Sequence, residues 1–233
     1  MQFGTIQEQY KYRMIIPFWK KFIEYQYNYL FPKPEPIETK EDYYNNKYPK
    51  ENLTYVRQET DGQYQVDLRN FITENDNSIP TVEGITDDDK ALKGLSYVYK
   101  NITYIPDKTE YKLNEYWAYP YQTLKHKKGD CEDGAILLYN ILLKSGIPYW
   151  KLRLTAGFVK LNGSKVGHAY LNYYCEDSDK WVVLDWCYWP NLMAIKDRAD
   201  YKDEEKYLDV WFSWNQKYCF SKGLNSEAKK LLN

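Results

Sequence analysis

The segment KKGDCEDGAILLYNILLKSGIP, residues 127–148, decides the fold of this chain. Asp130 can cap a helix that begins at about Cys131, and Gly146 with Pro148 supplies a stop signal. A helix that is apolar on nearly all sides lies in the centre of a domain. The sequence therefore predicts a buried central helix that starts with a thiol. The apolar residues that surround most of its circumference are Ala135, Ile136, Leu138, Tyr139, Ile141, Leu142 and Leu143.

Cys131 has an unusual place at the first turn of this predicted helix. Backbone N–H groups point outward at a helix start, and the helix dipole favours an anion there. We therefore expect the Cys131 thiol to lose its proton easily, and a thiolate is a nucleophile. The alternative is that Cys131 is a small buried hydrophobe, which is the more common role of a lone cysteine.

Strand signals follow the helix. The segments YWKLRLTAGFVKL (149–161) and KVGHAYLNYYC (165–175) flank Asn162-Gly163, a strong signal for a type I′ hairpin. A second polar turn, EDSD, leads into WVVLDWCYW (181–189). The sequence predicts an antiparallel meander of at least three strands.

The predicted hairpins place a histidine near an aspartate. If the second hairpin turns around Glu176 and Asp177, His168 lies opposite Asp185 on the same face of the sheet. The first hairpin places Gly157 beside His168, where the missing side chain leaves room for the imidazole ring. A carboxylate in this position can accept the imidazole N–H and fix its tautomer.

A thiol, an imidazole and a carboxylate are the parts of an acyl-transfer site. The thiolate attacks a carbonyl, the imidazole protonates the leaving amine, and the carboxylate orients the imidazole. Each residue alone has an ordinary structural interpretation, but their joint placement favours catalysis. We interpret the second histidine, His126, as an exposed loop residue. Cys175, Cys187 and Cys219 are interpreted as packing thiols.

Three motifs together resemble the transglutaminase-like superfamily, especially its bacterial and viral cysteine-peptidase-like branch. They are KGDCEDGAILLYNILLKSGIP (128–148), GHAYLNYY (167–174) and WVVLDW (181–186), with supporting matches in DDDKALKGLSYVYKNITYIPD (87–107) and YWAYPYQTLKHKKGDCED (116–133). The resemblance covers roughly residues 86–190. It implies an α+β, papain-like fold with a central buried helix packed on an antiparallel sheet.

The resemblance also implies roles for three residues. Cys131 would be the nucleophile, His168 the general base and acid, and Asp185 the orienting group, without a metal or a cofactor. Members of the superfamily include peptidases, amidases and protein cross-linkers, and some serve only as binding modules. Cross-linking members usually carry Gly-Gln-Cys-Trp, whereas this chain has Gly-Asp-Cys-Glu, so cross-linking is the less favoured activity.

The remaining site residues are less well defined by the sequence. The backbone N–H of Cys131 can supply one oxyanion donor, and the second could come from Gln122, Trp117 or Tyr121. Four aromatic residues could form a substrate groove, although core packing is the commoner role of such side chains. They are Trp117, Tyr119, Trp186 and Trp189, of which Tyr119 and Trp186 are the main substrate-binding candidates.

Four regions are expected along the chain. Residues 1–36 predict an aromatic helical arm that ends in the proline-rich break PKPEP, and residues 37–80 predict a loosely structured extension. Residues 81–200 predict the transglutaminase-like domain, whose first helix has Thr86 as its N-cap. Residues 201–233 predict a strand and a helix that complete this domain.

Composition excludes several classes of protein. A formal net charge of −1 argues against a general nucleic-acid binder. No apolar run is long enough to span a bilayer, and no signal peptide is evident, so we expect a cytoplasmic protein or a component of a phage particle assembled there. The four cysteines are expected to be reduced, and no zinc-binding spacing exists.

Two functions fit these observations. The first is a thiol hydrolase or acyltransferase acting on a peptide or protein amide. The second is a structural or interaction component of a bacteriophage virion or another assembly, in which the aromatic N-terminal arm would dock onto a protein partner. The many tyrosines, 26 in all, suit either an adhesive surface or the codon bias of an AT-rich genome.

Overall fold

The computed structural model describes residues 54–59, 62–217 and 219–221, and all of them belong to one compact unit. For residues 54–67 and 219–221 only the backbone strands are described. The predicted N-terminal arm, residues 1–36, and the predicted C-terminal helix lie outside the described residues. The interaction hypothesis for the arm therefore stays a prediction.

Four α-helices occur in the described part of the chain. Helix α1 begins after Thr86, whose side chain and that of Asp89 form a reciprocal capping box, as the sequence predicts for this helix start. No described helix combines the length and the apolarity needed to cross a membrane. The helices are α1 (Asp87–Asn101), α2 (Asp107–Glu110), α3 (Pro120–His126) and α4 (Cys131–Lys144).

Helix α4 is the predicted central helix, and its observed bounds confirm the prediction. Every residue from 132 to 143 is buried. Asp130 and Asp133 form the capping box at its start, which fixes the position of Cys131 in the first turn. Helix α1 crosses closely at Gly94, where an added Cβ would lie 2.4 Å from Leu142 Cδ2.

The main sheet has five antiparallel strands, in the spatial order β7-β6-β5-β8-β9. A two-stranded antiparallel hairpin, β1-β2, and a short parallel pair, β3-β4, complete the described strands. The sheet and the buried helix confirm the predicted α+β class. The strands are β1 (Thr54–Glu59), β2 (Gly62–Asp67), β3 (Thr103–Tyr104), β4 (Lys128–Gly129), β5 (Leu152–Leu161), β6 (Ser164–Cys175), β7 (Lys180–Leu184), β8 (Tyr207–Trp214) and β9 (Cys219–Ser221).

The first predicted hairpin has the predicted register. Gly157 pairs with His168, and the turn residues Asn162 and Gly163 have φ values of 50° and 84°. Both residues are in the left-handed region, as a type I′ turn requires.

The predicted register of the second hairpin is wrong. Cys175 pairs with Lys180, so the turn contains four residues, 176–179, rather than two. Asp179 adopts a positive φ of 49° within this turn. Because the ladder pairs Leu171 with Leu184, its extension would place residue 170, not His168, opposite Asp185.

Strand β8 reaches β5 through two register shifts. Ala156 pairs with Phe212, Gly157 with Val210, and Val159 with Tyr207, so β8 gains an extra residue at each step. A Cβ at Gly157 would lie 2.1 Å from the carbonyl oxygen of Asp209. The space at Gly157 therefore belongs to the backbone of β8, which corrects the prediction that it accommodates the His168 ring.

Candidate active site

Cys131 and His168 line the same cavity, which has a volume of about 200 Å³. Cys131 is partly exposed at the start of α4, and His168 comes from β6, the strand that packs against this helix. The helix cap and the β5-β6 hairpin, both local features of the sequence, thus bring the thiol and the imidazole to one cleft.

Asp185 binds the imidazole in spite of the register error. His168 Nε2 lies 2.7 Å from Asp185 Oδ2, and each residue is only 2% exposed. The chain leaves the ladder after Leu184, which lets the carboxylate reach back toward β6. The other ring nitrogen, His168 Nδ1, is buried and has no hydrogen-bond partner among the described residues. One nitrogen is therefore committed to Asp185, and the other remains for chemistry.

Three further donors hold the Asp185 carboxylate. The backbone N–H groups of Cys187 and Tyr188 donate to Oδ1 at 3.1 and 3.0 Å, and the Tyr207 hydroxyl donates to Oδ2 at 3.0 Å. Burial alone would raise the pKa of Asp185. The hydrogen bond and charge of His168, together with these donors, outweigh burial and hold the pKa below its ordinary value. The carboxylate is therefore ionised at neutral pH.

Aromatic rings enclose the imidazole. The Tyr188 ring stacks on the His168 ring with a centroid distance of 4.2 Å and an interplanar angle of 9°, and Trp189 meets it edge-on at 6.2 Å. A π face against the ring can stabilise an imidazolium. The stack also fixes the plane of the ring, so that Nδ1 keeps one direction.

Burial disfavours ionisation of the Cys131 thiol. Its Sγ donates to Glu132 Oε2 at 3.2 Å. Burial raises the pKa of the Cys131 thiol well above its ordinary value, and the charge of Asp130 adds to this shift. The N–H of Ala169 and the bond to Glu132 oppose the shift but are smaller. The expectation of an easily ionised thiol is therefore not met, because burial of the thiol, with the charge of Asp130, outweighs the effect of the helix start.

Buried carboxylates cluster beside the thiol. Burial raises the pKa of Asp130 to about 8, and it raises those of Glu132 and Asp133 well above their ordinary values. Oxygen atoms of Asp107, Asp130 and Asp133 all lie within 4.8 Å of one another. Such an oxygen-only set suits a hard cation such as Ca²⁺ or Mg²⁺. The sequence analysis did not foresee this cluster, because Asp107 is far from the others in the chain.

Comparison with known proteins gives a family match for part of the chain. Residues 79–186 match the family model of the transglutaminase-like superfamily. No significant match exists among curated proteins.

Solved structures of LapG from Legionella pneumophila are similar to this chain over about two thirds of its length. The EGTA-treated form is 21% identical with a TM-score of 0.45, covering 67% of this chain and 75% of LapG. The calcium-bound form is 20% identical with a TM-score of 0.44, covering 70% of this chain and 84% of LapG. At this level of identity the similarity concerns the fold.

The three candidates for the second oxyanion donor lie in different environments. Trp117 lines the cavity, but its Nε1 donates to Glu115 Oε1 at 2.6 Å. Gln122 caps α3: its Oε1 accepts from the Tyr119 N–H, and its Nε2 donates to the Tyr116 hydroxyl. Tyr121 is 48% exposed and stacks on Tyr119. Neither Gln122 nor Tyr121 is among the described residues that line the cavity.

The predicted aromatic groove is mostly core. Trp186 is buried, and its Nε1 donates to the carbonyl of Cys131 at 3.0 Å, so it holds the Cys131 backbone rather than a substrate. Tyr119 packs on Phe71 with a centroid distance of 4.9 Å. Neither Trp186 nor Tyr119 is among the described residues that line the cavity. Both rings pack against neighbouring residues. The described cavity walls include Tyr104, Tyr188, Trp211 and Phe212 instead.

His126 lies apart from this site. It is exposed at the end of α3, and its Nδ1 lies 3.7 Å from Glu110. This placement confirms the interpretation of His126 as an exposed residue and leaves His168 as the histidine of the cavity.

Proposed function

We propose that this transglutaminase-like domain is a thiol hydrolase or acyltransferase that acts on peptide or isopeptide amides. Cys131 is the nucleophile, His168 the general base and acid, and Asp185 the orienting group. One observation carries the proposal: His168 and Cys131 line the same cavity, His168 Nε2 is bound to Asp185, and His168 Nδ1 is buried without a hydrogen-bond partner among the described residues.

The reaction begins with a proton transfer. His168 Nδ1 takes the proton of the Cys131 thiol, and Asp185 stabilises the resulting imidazolium through Nε2. This step has to be assisted, because burial disfavours the free thiolate. The substrate must therefore displace the Glu132 carboxyl as the hydrogen-bond partner of the thiol, or reorient it.

The remaining steps follow from the same groups. The sulfur attacks the amide carbon, and the Cys131 backbone N–H, at the start of α4, can bind the developing oxyanion. His168 returns its proton to the leaving amine, which departs and leaves a thioester. Water or a second amine, deprotonated by His168, then attacks the thioester and regenerates the thiol. A peptide or protein amide is the proposed partner.

The test is site-specific acylation or alkylation of a cysteine at neutral pH. The purified chain is treated with p-nitrophenyl acetate or iodoacetamide, and the modified cysteine is located by mass spectrometry. We expect an adduct on Cys131 that C131A lacks, and a rate about 10²- to 10⁴-fold lower in H168A, because general-base assistance is lost.

Cys187→Ala is the matched control. Cys187 is a partly exposed thiol close to the site, and burial raises its pKa. We expect C187A to be acylated at the wild-type rate. Equal labelling of wild type and H168A, or an adduct spread evenly over the cysteines, would refute the proposed function.

A further inference from the structure

Tyr207 shares a carboxylate oxygen with the catalytic imidazole. Its hydroxyl lies 3.0 Å from Asp185 Oδ2, the same oxygen that His168 Nε2 contacts at 2.7 Å. Tyr207 is more than nine-tenths buried. Burial raises its pKa far above the ordinary value, and the Asp185 charge adds to that shift, so the hydroxyl stays protonated and acts only as a donor toward this carboxylate.

The path of β8 is adapted to bring Tyr207 to this oxygen. The register at Ala156 and Phe212 would, if continued, place Asp209 opposite Val159. Two extra residues in β8 place Tyr207 there instead. The close approach of the Asp209 carbonyl at Gly157 is part of this irregularity. Bulges of this kind often re-aim a side chain beside an active site.

We propose that Tyr207 is a positioning residue for the His168–Asp185 pair, which sets the proton affinity of His168 by sharing the charge of Asp185. Its hydroxyl withdraws negative charge from Oδ2, so the carboxylate holds the imidazolium less strongly than it would alone. The role in catalysis rests on the proposed function, whereas the effect on His168 does not.

Few other described groups near Asp185 could share its negative charge in this way. Tyr170 is the nearest neighbouring tyrosine, with a centroid distance of 4.6 Å from Tyr207, but its hydroxyl pairs with that of Tyr201 at 2.7 Å. Lys206 lies over the Tyr207 ring at 5.6 Å. The described titratable groups that face the pair are Cys131 on α4, Tyr170 on β6, Cys187 and Tyr188 after β7, Tyr201 and Lys206 before β8, and Tyr207 itself.

The chain is well suited to a direct test, because it contains only two histidines. Protein labelled with ¹⁵N-histidine therefore gives two sets of imidazole signals, and His126 serves as an internal reference. In Y207F we expect the midpoint of the His168 titration to move to higher pH by roughly half a unit, a fraction of a hydrogen bond to a charged group. The His126 midpoint should not move.

Two matched variants make the test specific. Y201F removes a hydroxyl from the same aromatic cluster without touching Asp185, and its His168 midpoint should stay at the wild-type value. In the Asp185→Asn background, Y207F should also leave the midpoint unchanged, because the shared charge is gone. A folded Y207F protein with an unmoved midpoint, or an equal shift in Y201F, overturns the proposal.

The pH profile of Cys131 alkylation by iodoacetamide provides the functional readout. In Y207F its acidic limb should shift in the same direction as the His168 midpoint. If the NMR midpoint moves and the alkylation profile does not, then Tyr207 tunes His168 but His168 does not serve Cys131. That outcome would refute the proposed function and leave the effect of Tyr207 on the imidazole intact.

Discussion

Gly134→Ala is expected to disrupt the site from inside the central helix. A Cβ at position 134 would lie 2.2 Å from Trp186 Cε2 and 2.3 Å from its Nε1. Real Cβ atoms do not approach a ring so closely, so the indole must move. Its hydrogen bond to the Cys131 carbonyl, 3.0 Å long, would then be lost.

The expected loss of stability in G134A combines three contributions. Overpacking a core costs about 1–3 kcal/mol, and a lost hydrogen bond costs about 0.5–1.5 kcal/mol. Replacing a helical glycine by alanine returns about 1 kcal/mol. The free energy of unfolding should fall by about 0.5–3.5 kcal/mol, and the melting temperature by about 1–14 °C for a chain of this length.

Gly94→Ala is the matched control, since it is also a helical glycine in the core. There the added Cβ meets Leu142 Cδ2 at 2.4 Å, the end of a side chain that can rotate away. For G94A we expect a smaller loss of stability by urea unfolding and an unchanged rate of Cys131 acylation. G134A should lose more stability and should also be acylated more slowly at Cys131. If G134A acylates at the wild-type rate, Trp186 does not position the nucleophile.

Two further predictions concern charge. Asp185→Asn removes a carboxylate whose pKa is held below the ordinary value, in spite of burial, chiefly by His168. Its stabilising effect is complete above the unfolded pKa of about 3.9 and disappears as the pH falls through the folded value, so D185N should be about 1.5–3 kcal/mol less stable at pH 7. The difference in urea unfolding between the two proteins should vanish in strong acid, and a constant difference would contradict the assignment. Millimolar CaCl₂ should raise the melting temperature at pH 7 by a few degrees, and EGTA should reverse this, because a cation held by the oxygens of Asp107, Asp130 and Asp133 would bind only the folded protein. Asp107→Asn should reduce the rise, and an unchanged melting temperature with either Ca²⁺ or Mg²⁺ would show that the acids bind no such ion.

Local sequence signals predicted the elements that hold the thiol and the imidazole. Helix α4 has a capping aspartate, a continuous apolar circumference and a stop signal, and all three act within a few residues. The Asn162-Gly163 turn fixed the β5-β6 register in the same way, because a type I′ turn leaves one pairing. The second turn has no such motif, and its length could not be deduced, so the pairing of β6 with β7 was misplaced.

Features that depend on distant parts of the chain could not be predicted. Tyr207 reaches Asp185 only through the irregular pairing of β8, which no periodic pattern announces. The raised pKa of the Cys131 thiol depends first on its burial and then on the charge of Asp130, and burial is a property of the packed domain. Trp186 and Tyr119 carry no sequence mark that distinguishes a packing ring from a substrate-binding ring.

The raised pKa of the Cys131 thiol has a consequence for the durability of the protein. Peroxide and other oxidants attack thiolates, and the first product, a sulfenic acid, leads on to forms that cannot be repaired. A sulfur that keeps its hydrogen and donates it to Glu132 should react slowly with such agents. The burial that disfavours the thiolate should therefore also protect Cys131 against irreversible oxidation.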